Sequence, residues 1–379
     1  MDRMLSSEEA SRRLGVKVST LYAYVSRGLL ESHPEPGGRR SLFELEDIER
    51  LAVRSRGGRQ TESRLATITT GVTQLRQEEG PVYRGRLATD LADTMRFEEV
   101  TALLWQDDQV SEWAAPQFGP CPLEQTSDRM RWALVQCGAS DSLRSDLRPE
   151  AVTRAARRTV AALVDVVGTR SARRGSIALR LAERLGGEGP SLSAAAVNAA
   201  LVLLADHELA TSTVAVRVAA STRADLYDAL MAGVATMAGP LHGGASQQAY
   251  ELLVAAERDG ASRALTDALR WFTYLPGFGH TVYKSGDPRF TALLALAEPL
   301  LSDGRRQVLR QVMELATANN VPLPNCDLAL AALSWGTGMP PDAGRTIFVI
   351  ARLAGWTAHY LEELAERPLR FRARAVYSV

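Results

Sequence analysis

Four of the five histidines in this 379-residue chain lie beyond residue 200, and three of them stand at polar or glycine-rich breaks. They are His207 in ADHELATSTVAVR, His242 in GPLHGGASQQAY and His280 in LPGFGHTVYKSGDPRF. An imidazole can donate or accept a proton near neutral pH, and glycine lets backbone come close to a ligand. One such histidine is as readily a packed or surface residue. Three in the same context read as ligand-facing groups. The last segment also holds Lys284, one of only two lysines, and Arg289. His33 and His359 lack this setting and read as structural.

The elements that must position these groups are helices. FEEVTALLWQ, PEAVTRAARRTVAALVDVV, AAAVNAALVLLADHEL, RADLYDALMAGVATMAG and GRTIFVIARLAGWTAHYLEELAE carry apolar residues at three- and four-residue spacing, the mark of amphipathic helices. RLATITTGVTQLRQ is the exception, alternating with period two. The expected class is all-α. The length allows a large core and two domains. Forty-four basic and 44 acidic residues balance, so no global field draws the chain to nucleic acid or an anionic membrane. The N-terminus has no apolar secretory core and no run is long enough to span a bilayer, so the expectation is a cytoplasmic protein without a membrane partner. Cys121, Cys137 and Cys326 are too few and too scattered for a disulfide framework or a zinc site, and no metal is expected.

Residues 1–58 read as a separate module, 59–64 as a linker and 65–379 as the helical domain. Ser6-Ser7-Glu8-Glu9 offers a capping box that opens a helix through Arg13. Gly15-Val16 makes a turn, and Ser19 is expected to cap a second helix ending at Gly28. A loop with paired arginines, HPEPGGRRSLF, and a further helix, ELEDIERLAVRS, follow. That order, with the pattern SxxEAxxxLGVxxxTLxxxxxxGLL, resembles the winged helix-turn-helix of the MerR and excisionase families. The resemblance implies DNA contacts from Thr20 and Tyr22 on the second helix and from Arg39 and Arg40 in the loop. The module's basic excess is slight, which implies modest affinity for a polyanion.

The motifs DHELxxST, GPLHGGA, GFGHxVYKxxDPR, PNxD and IARxAGWxAHxLE, in that order from about Arg64 to Val379, resemble the signature set of citrate synthases. The resemblance implies a two-lobed helical domain, with a large lobe of about 65–243 and 339–379 and a small lobe of about 244–338. It implies condensation of acetyl-CoA with oxaloacetate and water to give citrate and CoA. The catalytic set would be His242, His280 and Asp327, with Asp327 as base, His242 donating to the thioester oxygen and His280 polarising the ketone. A neutral imidazole suits the task of His242, which sits at a possible helix start. His207, Arg289 and Arg352 would bind oxaloacetate, and Arg374 would complete the site of a homodimeric partner, with Arg372 the weaker choice. Arginine suits carboxylates because its fork bonds them in pairs. Arg352 interrupts an otherwise apolar helix, so a partner for it is expected; Arg217 reads as structural. Gly277, Phe278, Gly279 and Lys284 would meet CoA, which enters as a cosubstrate, with no permanently bound cofactor.

Several positions depart from the family pattern. Ser246-Gln247 replaces a common Asn-Glu, Thr281 stands where many bacterial relatives have arginine, and the stretch from Asp107 to Pro190 is short. Leu328-Ala329-Leu330-Ala331 replaces a polar turn after the base, with an expected effect on the base's pKa environment, since less polarity generally raises a carboxylate's pKa, or on the acyl pocket. One methylene discriminates weakly, so 2-methylcitrate synthesis from propionyl-CoA is an alternative. A DNA-binding regulator whose helical domain senses oxaloacetate or acyl-CoA is another.

Overall fold

The computed structural model describes residues 4–14, 16–26, 30–34, 41–44, 47–48, 68–110, 113–168, 175–239, 242–271 and 274–372. The chain divides into two compact units, 1–68 with 371–379, and 69–370.

In the first unit, strand β1 (Met4–Ser6) leads into helix α1 (Ser7–Leu14), followed by α2 (Val18–Ser26) and strands β2 (His33–Pro34) and β3 (Ser41–Glu44). The strands form one antiparallel sheet in the order β1-β3-β2, with Leu5 opposite Phe43. Leu5, Ala10, Leu21, Leu30, Phe43 and Ile48 are its buried core. The capping box is present: the Ser6 N–H donates to Glu9 Oε2 at 3.0 Å, and the Glu9 N–H donates back to Ser6 Oγ at 3.3 Å. Ser19 does not cap α2. The helix starts one residue earlier, at Val18, and the first bonds close onto the Lys17 carbonyl, from the N–H of Thr20 at 2.9 Å and of Leu21 at 3.2 Å. Ser19 therefore lies inside the first turn. Gly28 and most of ELEDIERLAVRS lie outside the described residues.

The second unit opens with a small antiparallel sheet, β4 (Thr73–Arg76), β5 (Gly80–Tyr83) and β6 (Arg86–Leu87), within and just after the segment of period-two alternation. Helices follow: α3 (Ala88–Thr94), α4 (Phe97–Trp105), α5 (Thr126–Ala139), α6 (Pro149–Val166), α7 (Ile177–Leu185), α8 (Pro190–Leu203), α9 (Thr211–Ser221) and α10 (Leu226–Met237). Then come α11 (Ala245–Asp259), α12 (Ala261–Trp271), α13 (Pro288–Ala297), α14 (Asp303–Ala318), α15 (Cys326–Thr337) and α16 (Ala343–Ala365). Among the described residues no helix is long and apolar enough to cross a membrane.

Two apolar cores fill this unit. The larger gathers side chains from β4 through α10 with α16, and the smaller is built from α11, α12, α14 and the loop before α13. Helix α15 serves both. Leu328, Ala331, Ala332 and Trp335 point into the smaller core, while Ala329, Leu330 and Leu333 point into the larger. A helix buried on all sides must be apolar all round, which accounts for Leu328-Ala329-Leu330-Ala331. These four side chains fill the two cores beside the first turn of the helix.

Candidate active site

The loop Leu275–His280 reaches the N-terminus of α15 through a set of short bonds. Asn325 caps the helix, its Oδ1 accepting the Asp327 N–H at 2.9 Å. The same residue gives its backbone N–H to the Gly277 carbonyl at 2.9 Å and its Nδ2 to the Gly279 carbonyl at 2.7 Å. The Gly279 N–H returns to the Leu323 carbonyl at 2.8 Å. At Gly277, φ is +83°, and a Cβ there would stand 3.0 Å from Leu328 Cβ and 3.1 Å from Ala249 Cβ. Glycine at this point answers a left-handed turn and a close crossing of chain segments. Gly277 and Phe278 are buried in that packing, Gly279 is half-buried, and Lys284 is exposed with its Nζ on the His280 carbonyl at 3.1 Å. Thr281 is exposed.

Asp327 stands in the first turn of α15. Burial pushes its carboxyl up to about 6, against the pull of the Arg289 and Arg352 charges. Desolvation disfavours the charged form of an acid, and a carboxyl titrating near there can take a proton at neutral pH.

Asp287 caps α13 and holds Arg289 in a two-pronged pair, Nε to Oδ1 and Nη2 to Oδ2, both at 2.9 Å. The same Oδ2 accepts the Cys326 N–H at 3.0 Å, so one carboxylate ties the starts of α13 and α15 together. Both side chains are almost wholly buried. Burial works against ionisation of Asp287, yet the charge and bonds of Arg289 hold its carboxyl below the ordinary value.

His280 accepts two backbone N–H groups at Nδ1, from Val282 at 3.1 Å and Tyr283 at 3.2 Å. Its ring proton is therefore on Nε2. Arg289 Nη2 lies 3.4 Å from that nitrogen; two donors facing each other make this a charge contact. Burial and the Arg289 charge push the imidazole down to about 4, so it is neutral at pH 7. His207 packs edge-to-face on His280, ring centroids 5.3 Å apart, and burial, then Arg289 and Arg352, push it well down too.

His242 precedes α11, in the turn behind the Gly244 cap. Gly243 permits that turn: a Cβ there would lie 2.2 Å from the Met237 carbonyl oxygen. Its Nε2 is 2.8 Å from Ser212 Oγ, its ring is 6.4 Å from that of Phe348, and burial with the Arg352 charge lowers its pKa. Arg352 lies over the Phe348 ring at 4.9 Å. It is 2% exposed, and its Nε and Nη1 have no hydrogen-bond partner among the described residues. Burial lowers its pKa, with Asp206 the main charge acting the other way.

A buried polar chain links Arg217, His359 and Asp206, with Arg217 Nη2 and Asp206 Oδ1 left without a hydrogen-bond partner among the described residues. Arg217 donates to His359 Nδ1 at 2.8 Å and pairs with Glu362 and Glu363, both at 2.9 Å. With that nitrogen accepting, His359 Nε2 carries the proton and donates it to Asp206 Oδ2 at 3.2 Å. Arg217 and His359 are thus structural. His33 lies 3.7 Å from Glu44 in the first unit. Arg374, Arg39 and Arg40 lie outside the described residues. Thr20 is half-buried, and Tyr22 is exposed with its hydroxyl 3.1 Å from Ser7 Oγ.

The sequence reading missed Asn325, Asp287, Tyr283, Asp206, Ser212 and Phe348. Five of these sit inside the motifs that carry His207, His280 and Asp327, and Phe348 stands two residues before the motif of Arg352, so adjacency was the available signal. Among the described residues no group of three or more His, Cys, Asp or Glu side chains could hold a metal ion.

Residues 62–374 match the family model of the citrate synthase C-terminal domain, and residues 4–54 match that of a helix-turn-helix domain. Citrate synthase 2 of Bacillus subtilis is 31% identical over 78% of this chain and 89% of its own length. 2-Methylcitrate synthase 2 of Corynebacterium glutamicum is 29% identical over 76% and 86%. Among solved structures, citrate synthase from Thermoplasma acidophilum, in ternary complex with carboxymethyl coenzyme A and oxaloacetate, superposes with a TM-score of 0.70. It covers 86% of this chain and 96% of its own at 22% identity, a likeness of fold.

Proposed function

The chain belongs to the citrate synthase family, and from that premise we propose that it is an acyltransferase condensing acetyl-CoA with oxaloacetate and water to give citrate and CoA. Acyl-CoA enters as a cosubstrate, and no permanently bound cofactor takes part. The observation that carries the reading is Arg352, a buried guanidinium with two N–H groups left open beside one raised carboxyl and three neutral imidazoles. A bare buried cation is costly, and a substrate carboxylate supplies the missing partner.

Oxaloacetate binds with its carboxylates on Arg289, Arg352 and His207. Its ketone oxygen faces His280 Nε2–H, which stabilises the alkoxide as it forms. Asp327 takes a proton from the acetyl methyl group. Ser212 donates into His242 Nε2, leaving the ring proton on Nδ1 for the thioester oxygen, where enolate charge develops. A neutral donor is favourable there, since the enolate need not compete for a proton already shared with solvent. The enolate carbon then bonds to the ketone carbon, and water cleaves the thioester and releases CoA. Gly279 and Lys284, at the rim of the His280 loop, meet the CoA chain and a phosphate; Gly277 and Phe278 support the loop from within. The shared helix α15 favours two lobes, 65–243 with 339–379 and 244–338, that close on the ligands. Arg374 of one subunit completes the site of the other in a cytoplasmic homodimer.

The test is CoA release from acetyl-CoA and from propionyl-CoA with oxaloacetate, in wild type and Asp327→Asn. Turnover in wild type that Asp327→Asn abolishes supports the reading, and the ratio of the two thioesters separates citrate from 2-methylcitrate synthesis. No turnover with either overturns it.

The helix-turn-helix match over residues 4–54 favours a second activity, DNA binding, with α2 offering Thr20 and Tyr22 and the loop offering Arg39 and Arg40. Two such modules on a dimer suit a pseudo-palindromic site. A salt-sensitive mobility shift of the full chain, weakened in Arg39→Ala/Arg40→Ala, supports it; an unchanged shift removes those arginines from the contact.

A further inference from the structure

Tyr283 has no task in the condensation described above, yet it touches three of the groups that perform it. It is 3% exposed. Its ring stacks on the His280 imidazole, centroids 4.6 Å apart and planes within 20°. Its backbone N–H is one of the two that His280 Nδ1 accepts. Its hydroxyl stands 3.0 Å from His207 Nε2, and the Arg289 guanidinium lies 5.1 Å from its ring centroid. We propose that Tyr283 is the positioning residue of the two oxaloacetate-side histidines: its hydroxyl keeps the proton of His207 on Nδ1, and its ring and N–H keep His280 flat with its proton on Nε2.

The chemistry follows from which atoms can give and which can receive. A buried phenol must place its proton on an acceptor, and the acceptor in reach is His207 Nε2. Burial raises the phenol's pKa, so that proton stays on oxygen and Nε2 stays the lone-pair atom. The proton of neutral His207 then resides on Nδ1. At His280 the polarity is reversed. Two N–H groups point at Nδ1, and the free N–H is on Nε2, on the side of Arg289. Neutral imidazole tautomers lie close in energy, so one external bond decides between them. The two rings meet edge-to-face, and if either carried its proton on the other nitrogen the donor and acceptor pattern offered to a ligand would change. The Tyr283 ring backs His280 on one face, limiting the rotation that would turn Nε2 away from a ketone.

The proposal rests on the condensation reading for the identity of the ligand and not for the state of the rings, so its test reads the rings directly. In full-length protein with 15N-labelled histidine, long-range 1H–15N correlations assign the protonated nitrogen of each imidazole. Wild type is expected to show protonated Nδ1 at His207 and protonated Nε2 at His280. Tyr283→Phe keeps the stack and removes the hydroxyl. His207 should then move to a mixture of tautomers while His280 is unchanged, and KM for oxaloacetate should rise about tenfold with a smaller change in kcat. Tyr283→Leu removes the stack as well, and kcat should fall a further ~10-fold or more. A His207 proton found on Nε2 in wild type, a measurement that needs no variant to fold, overturns the proposal. So does a Tyr283→Phe protein with unchanged ring shifts. If wild type released no CoA while the tautomers were as stated, the condensation reading would fall and this one would stand.

Discussion

Asn325 donates its side-chain N–H to the Gly279 carbonyl at 2.7 Å, and that bond joins the loop of His280 to the helix of Asp327. The other end of the same amide accepts the Asp327 N–H. One side chain therefore sets both the start of α15 and the place of the loop that opposes it. Asp327 and His280, the proposed base and the proposed ketone-polarising group, are 47 residues apart in sequence and are registered by a single planar group.

Asn325→Ala should lose about 1 kcal/mol of stability from the missing cap and a larger share of activity, ~10- to 100-fold in kcat, from misregister of loop and helix. Asn325→Asp keeps the cap acceptor and loses the donor to Gly279. Thermal melts and steady-state kinetics on the pair separate the two roles: Asp should recover the melting temperature and leave kcat low.

Asp327→Asn should lower kcat by ~10²–10⁴, the usual worth of a general base. In wild type, kcat/KM should rise with pH through about 6, where the folded carboxyl ionises, and level off above it. Stability runs the other way. The folded-state pKa is raised above that of a free carboxyl, so the stabilisation that protonation brings is present at low pH and lost as pH rises through about 6. Asp327→Asn should melt above wild type at pH 8, and the gap should narrow as pH falls below about 6 and close only below the ordinary carboxyl value of 3.8.

Arg352→Met removes a buried charge whose Nε and Nη1 are unpartnered. Without ligand its melting temperature should match or exceed that of wild type, because the desolvation cost goes with the charge. Oxaloacetate at a hundred times its Kd should stabilise wild type by ~2.7 kcal/mol and leave Arg352→Met unmoved. Thermal shift across an oxaloacetate series reads both.

Arg374→Ala and Asp327→Asn chains should each be nearly inactive alone. Mixed and allowed to exchange subunits, they should regain about a quarter of wild-type activity. Half the dimers then pair one chain of each kind, and such a dimer holds one complete site. Equal inactivity before and after exchange would place Arg374 in its own subunit's site, and an Arg374→Ala chain active by itself would place it outside both.

The motifs carrying His207, His242, His280, Arg289, Asp327 and Arg352 were legible because each is short and the chemistry is local to it. Helical periodicity was legible for the same reason, since a helix repeats every few residues. Arg217 and Arg352 show the limit. Both are arginines in otherwise apolar helices. The partners of Arg217 are Glu362 and Glu363, some 145 residues on, leaving Nη2 alone without one, while Arg352 leaves both Nε and Nη1 open. Family motifs told them apart; local sequence had no means to, because pairing depends on which helix packs beside which.

Leu328-Ala331 shows the same limit from the other side: read locally they flank the base, and in the fold they face two cores. By itself, the sequence determined the residue types, the helices that hold them and the order in which they occur. Tertiary structure alone decided which nitrogen of each imidazole carries the proton, how far burial lifts Asp327, and which guanidinium stays open. Those properties are set by donors, acceptors and desolvation brought together from distant segments, and no local pattern encodes them.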